Sequence, residues 1–124
     1  MEDVLALYAE VFGCSLDEAG DQLRNAPGLE GALMRPKTRA HYENADIASQ
    51  AAALAHGIAE SQPFVEGNKR TALAALLTFI AVNGYDLLAS QEERADWILR
   101  LSSGLTIDQL AELIRRALVV SGAA

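Results

Sequence analysis

One cysteine, three prolines and 6% aromatic residues in 124 positions narrow the fold classes open to this chain. A lone Cys14 closes no internal disulfide and builds no zinc site by itself, which excludes a disulfide-stapled scaffold and fits a reducing compartment. Basic residues are scarce. The 10 Lys and Arg stand against 17 Asp and Glu, a net charge of -7, so the positive footprint of a nucleic-acid or anionic-membrane binder is missing. Long apolar runs are missing too, since the most apolar stretch, Ala72 to Val82, falls well short of the roughly 18 residues that argue for a membrane span. No basic segment leads into an apolar one at the start, so nothing resembles a secretory signal, and the expectation is a soluble, cytoplasmic protein. Repeats, linkers and low-complexity tracts are also absent, and the expectation is one domain over residues 1–124.

What the chain does have is alanine and leucine, within a hydrophobic fraction of 51%, a composition that favours helices. Val4, Leu5, Tyr8, Val11 and Phe12 form one helical stripe that Gly13 closes, predicting a helix over Asp3 to Phe12. Ser15 with Glu18 has the spacing of a capping box and opens a short helix toward Leu23, after which Asn25 to Gly28 breaks the chain. Leu29 to Leu33 adds a turn or two that Pro36 stops, and the polar stretch from Arg35 to Asn44 reads as an exposed loop or ragged hairpin. Asp46 caps an alanine-rich helix from Ile47 to Glu60. Lys69 to Asn83, ended by Gly84, is apolar around most of its circumference and so reads as the central helix. Two more capping boxes, Ser90 with Glu93 and Thr106 with Gln109, open helices over Gln91 to Leu101 and Ile107 to Val120. The expected fold is all-α: six or seven short helices around the helix at 69–83, with at most one small hairpin.

The chemistry concentrates in Gln62-Pro63-Phe64-Val65-Glu66-Gly67-Asn68-Lys69-Arg70-Thr71, which sets a glycine, an amide and two cations at a helix start. A helix N-terminus has unpartnered N–H groups and partial positive charge, Gly67 admits close approach, and Arg70 can grip a phosphate through two donors. Glu66 adds a carboxylate of the kind that holds Mg²⁺ beside a phosphate. The plainer reading of the same residues is an ordinary helix start, with Asn68 as N-cap and both cations solvated. Neither the P-loop nor the dinucleotide-binding fingerprint is present.

The window from Gln62 to Arg70 resembles the core motif of the Fic/Doc family, His-Pro-Phe-x-Asp/Glu-Gly-Asn-Lys/Gly-Arg, and matches it everywhere except at the first residue. Gly28 to Arg35, the segment around Tyr42, His56-Gly57 and Thr71 to Gly84 extend the likeness to the Doc branch, toward which Lys69 also points. The resemblance implies ATP and Mg²⁺ as ligands, with Phe64 anchoring the loop and Glu66 holding the metal. Gly67 and Asn68 would form the anion nest, and Lys69 and Arg70 would bind phosphates. It implies transfer of the γ-phosphate to a threonine of translation elongation factor Tu. Gln62 occupies the place of the family's catalytic histidine, and an amide cannot take a proton near pH 7. Either natural degeneration or an introduced inactivating change accounts for Gln62, and the otherwise intact motif favours the second.

Two alternatives stay open: protein adenylylation on the same fold, and a non-catalytic nucleotide- or partner-binding module. The inhibitory motif Ser/Thr-x-x-x-Glu-Gly/Asn of many Fic proteins has no match, Thr38 with Glu43-Asn44 being one residue too long. Restraint is therefore expected from a separate antitoxin chain held in an apolar groove. His56 reads as a capped or partly buried side chain away from the reacting end of the loop, and His41 as merely exposed. Ser61 and Thr71 read as capping or turn hydroxyls, and Tyr8, Phe79 and Trp97 as core.

Overall fold

The computed structural model describes residues 1–122, so the last two positions of the expected 1–124 domain lie outside the described residues. The order is α1 (Glu2–Phe12), α2 (Leu16–Gln22), α3 (Ala26–Glu43), α4 (Ile47–Ser61), α5 (Asn68–Val82), β1 (Tyr85–Leu87), α6 (Gln91–Leu101), α7 (Ile107–Ala117) and β2 (Leu118–Val120). The fold is an all-α bundle with a two-stranded sheet. Its helix starts follow local chemistry: Ser15, Ser90 and Thr106 each complete a capping box, and Asp46 accepts from the Ser49 N–H.

The segment read as a loop or hairpin over Arg35 to Asn44 is the second half of α3, an 18-residue helix with Pro36 inside it. Asn25 caps this helix through the Gly28 N–H, and Pro27 lies in the first turn, where a missing N–H costs nothing. Pro36 deletes one interior hydrogen bond, a penalty of about 3 kcal/mol. Its ring, however, is buried with Leu29 and Ala32 against α4, and that packing offsets the loss. The polarity of the segment reflects its other faces, which are solvated.

The helix at the centre is α4 rather than the one at 69–83. It packs on α3, α5 and α7 and buries Ala48, Ala51 to Ala55, Gly57 and Ile58. Small side chains let the neighbouring helices approach from several sides. A β carbon at Gly57 would stand 2.9 Å from the Ala32 Cβ, so the α3–α4 contact is built for glycine at that position. By contrast α5 buries Thr71, Ala72, Ala75, Leu76 and Ile80 on one side and leaves Lys69, Arg70, Thr78 and Val82 exposed. The predicted last turn of α7 is instead β2, which pairs antiparallel with β1 in the register Tyr85↔Val120, Asp86↔Val119 and Leu87↔Leu118. Leu118 to Val120 is β-branched at two positions and finds its partner strand on the far side of two helices, so no local turn marks it.

Candidate functional site

The loop between α4 and α5 is held at both ends. Gln62 closes α4 in the left-handed conformation, φ 46 and ψ 60. Next to it the Pro63 carbonyl accepts from the N–H groups of Arg24 and Asn25, at 2.8 and 3.0 Å. Phe64 forms an antiparallel bridge with Leu23 and is fully buried, and the Val65 N–H donates to the Gln22 carbonyl at 2.8 Å. The connection between α2 and α3 therefore serves as a splint for the loop.

At the other end Asn68 works on the backbone. Its Oδ1 accepts from the Phe64 N–H at 2.9 Å, and its Nδ2 donates to the Phe64 carbonyl at 3.0 Å, so its side chain ties the loop into a closed turn. The cap position belongs to Gly67, which is left-handed at φ 79 and has no side chain to accept a hydrogen bond. Thus α5 differs from α2, α3, α4, α6 and α7, each of which opens with a capping side chain. The first-turn N–H groups at Asn68, Lys69 and Arg70 remain available to a ligand acceptor. Thr71 is buried and donates its hydroxyl to the Gly67 carbonyl at 2.8 Å, a back-bond to the residue four positions earlier and not the cap that the sequence suggested.

A cleft of about 540 Å³ opens here, lined by Gln62, Gly67, Asn68, Lys69 and Arg70 together with Ala59 and Ser102. Five of the residues picked out in sequence thus share one cavity wall. Glu66 is exposed at the tip of the loop and is not among the lining residues; its carbonyl accepts from the Tyr8 hydroxyl at 3.2 Å. Burial first, and then the nearby Glu66 carboxylate, push the Tyr8 phenol up from its ordinary value, keeping that donor protonated. Among the described residues no group of three or more His, Cys, Asp or Glu is placed to hold a metal ion. Glu66 is accordingly a lone carboxylate, a donor suited to a Mg²⁺ ion whose remaining ligands are phosphate and water.

His56 sits closer to the site than its place in the sequence suggests, lining an adjoining cleft with Gln62, Glu60 and Ser102. Both of its nitrogens are committed. Arg35 can only donate, so Nδ1 accepts from it at 3.3 Å, which leaves the proton on Nε2, 3.2 Å from a Glu60 carboxylate oxygen. Burial holds its pKa below the usual value, with Glu60 opposing and Arg35 and Arg39 assisting. A ring with no free lone pair is no stand-in for a missing base. His41 is exposed and packs edge-on against Tyr42. Ser61 bonds the Gly57 carbonyl at 2.7 Å.

Sequence reading missed Ser102, which arrives from the link between α6 and α7 and carries no local signal. It also assigned Tyr8 to the core and Phe12 only to the stripe of the first helix, although both rings underlie the loop. A second concavity, of about 530 Å³, lies between α1 and α5, with Leu7, Leu33, Leu54, Phe79 and Val82 in its walls beside the carboxylates of Asp3 and Glu10.

The profile of the Fic/DOC family matches residues 1–80, a span that takes in the whole loop and most of α5. Toxin Doc of Mycolicibacterium smegmatis is 37% identical over 90 residues, which are 71% of this chain and 65% of that protein. The chain therefore aligns with slightly less than two thirds of that relative's length. With well over half of its residues matched, including every residue of the loop, the chain belongs to the Fic/DOC family.

Proposed function

We propose that this protein is a Doc-type toxin of a toxin–antitoxin pair, acting in the cytoplasm, whose cleft at the start of α5 takes ATP with Mg²⁺. The similarity to Toxin Doc supports the class. The observation that carries the reading is the convergence in one cleft of an uncapped helix start, Lys69, Arg70 and the position-62 side chain. In this reading the first-turn N–H groups and the Arg70 fork hold phosphate oxygens while Lys69 adds a point charge. Glu66 would hold Mg²⁺, and the ion would supply neutralisation of phosphate charge.

The reaction is phosphoryl transfer to a hydroxyl of a target protein, for which the family offers translation elongation factor Tu. The hydroxyl oxygen bonds to the γ-phosphorus, the bond from that phosphorus to the bridging oxygen breaks, and ADP leaves. The hydroxyl proton needs an acceptor. Gln62 stands where that acceptor belongs and has no lone pair basic enough to take the proton, so the chain grips nucleotide and barely turns it over.

The test is Gln62→His with ATP labelled at the γ- or the α-phosphate. Label from γ-labelled ATP alone should enter protein, about 10²- to 10⁴-fold faster than with the unsubstituted chain, and expression without antitoxin should arrest growth. Transfer from α-labelled ATP instead would make the protein an adenylyltransferase. A folded Gln62→His protein that modifies nothing and leaves growth unchanged would leave a binding module.

The second concavity supports a separate antitoxin chain as the partner. Its apolar walls suit one face of an amphipathic helix, and Asp3 and Glu10 suit basic residues flanking that face, which fits an antitoxin segment that folds on binding.

A further inference from the structure

Arg70 is exposed and, among the described residues, makes no hydrogen bond or ion pair. Left alone, such a side chain samples many rotamers, and ordering it on a ligand costs conformational entropy. In this protein its guanidinium carbon lies 5.2 Å from the centroid of the Phe12 ring. A carboxylate partner would consume the donors that a phosphate needs. An aromatic face orders the cation and consumes none of them.

Phe12 is itself held firmly. Its ring leans on Tyr8 with centroids 4.5 Å apart and planes at 33°, and Tyr8 stacks on Phe64 at 4.3 Å and 21°. The Tyr8 hydroxyl donates to the Glu66 carbonyl. Above the Phe12 ring lies Gly67, where a β carbon would overlap the ring edge. Three rings thus run beneath the loop from its buried anchor to its cation, and two of them belong to α1, remote in sequence from the motif.

We infer that Phe12 is a positioning residue for Arg70: its ring face holds the guanidinium over the helix start, with the donors free, before any phosphate arrives. This inference rests on the phosphate-binding reading of Gly67 to Arg70. It predicts that Phe12→Leu lowers the affinity for ATP and for inorganic tripolyphosphate roughly two- to fivefold, the range of an exposed cation–ring contact. Phe12→Tyr, which keeps the face, should bind like the unsubstituted protein.

The decisive measurement is a double-mutant cycle by calorimetry, with melting temperature recorded for each protein. If Phe12 acts through Arg70, then Phe12→Leu has no further effect once Arg70→Ala is in place. An equal loss in both backgrounds overturns the inference, because the ring would then merely support the loop. Unchanged affinity in Phe12→Leu, with a clear loss in Arg70→Ala, overturns it as well and leaves the phosphate site intact. If Arg70→Ala binds as well as the unsubstituted protein, the phosphate-site reading falls, and the inference with it. Should Phe12→Leu not fold, Phe12→Met, which better fills the space under Gly67, runs the same cycle.

Discussion

Gln62 occupies a backbone conformation that its own side chain does not favour. Non-glycine residues with positive φ are uncommon, and those that adopt it are enriched in Asn, Asp and His. At φ 46 and ψ 60, histidine suits position 62 on backbone grounds as well as chemical ones. Gln62→His is therefore expected to cost no folding stability, with denaturant midpoints within about 0.5 kcal/mol of the parent. A loss above about 1 kcal/mol would mean that Gln62 makes stabilising contacts in the folded state. At this scale much of the candidate cleft was legible, because Gly67, Asn68, Lys69 and Arg70 are contiguous and a helix start uses contiguous N–H groups. The exceptions act across the chain. The Asn68 side chain, open to reading as a helix cap, closes the turn onto Phe64. Phe12 shares a helical stripe with Tyr8, which in linear order reads as core and says nothing of Gly67 or Arg70.

Among the elements, the capped helices were the easiest to place, since a capping box is a four-residue pattern that needs no partner from elsewhere. Two of the misjudged segments depend on distant partners: α3 continues through Pro36 because α4 lies against it, and the end of α7 becomes a strand because β1 is there to pair with. Asp46 joins two elements. It caps α4 through Ser49 and takes two hydrogen bonds from Arg115 of α7, at 2.8 and 3.1 Å. The Arg115 hydrogen bonds, aided by Ser49 and opposed by partial burial, hold its carboxyl at about 2 instead of 3.8. A depressed folded value means that the stabilisation is whole above the unfolded value near 3.8 and is lost as pH falls through about 2. Both side chains are substantially exposed, so the pair contributes little in salt. Asp46→Asn keeps a good cap and should cost less than about 1 kcal/mol at pH 7, whereas Asp46→Ala loses cap and pair and should cost about 1–2 kcal/mol. Urea unfolding at pH 7 and again near pH 2.5 checks both, and the difference between the parent and Asp46→Asn should shrink at the lower pH.

Across the whole molecule, α1 borders both candidate surfaces: Tyr8 and Phe12 underlie the loop between α4 and α5, while Val4, Ala6 and Leu7 wall the apolar groove. Among the described residues no helix is long and apolar enough to cross a membrane. Val82, at 75% exposure, lies in the groove wall and gives the cleanest probe of a protein partner there. Val82→Glu should leave the melting temperature within about 2 °C of the parent, since surface changes seldom exceed about 0.5 kcal/mol, yet weaken capture of the proposed antitoxin by about tenfold or more. Undiminished capture would place the partner elsewhere. Composition, periodicity and the loop motif by themselves determined the helical class, the starts of the helices opened by capping boxes or by Asp46, and the family, because helix propensity, capping and a nine-residue window are properties of neighbours in the chain. Which helix lies at the centre, how far α3 runs, which strand pairs with Tyr85 to Leu87 and which ring supports Arg70 were decided only in the tertiary structure. Each of those depends on groups far apart in sequence, and their contacts exist only once α4, with its small side chains, has drawn the other helices in around it.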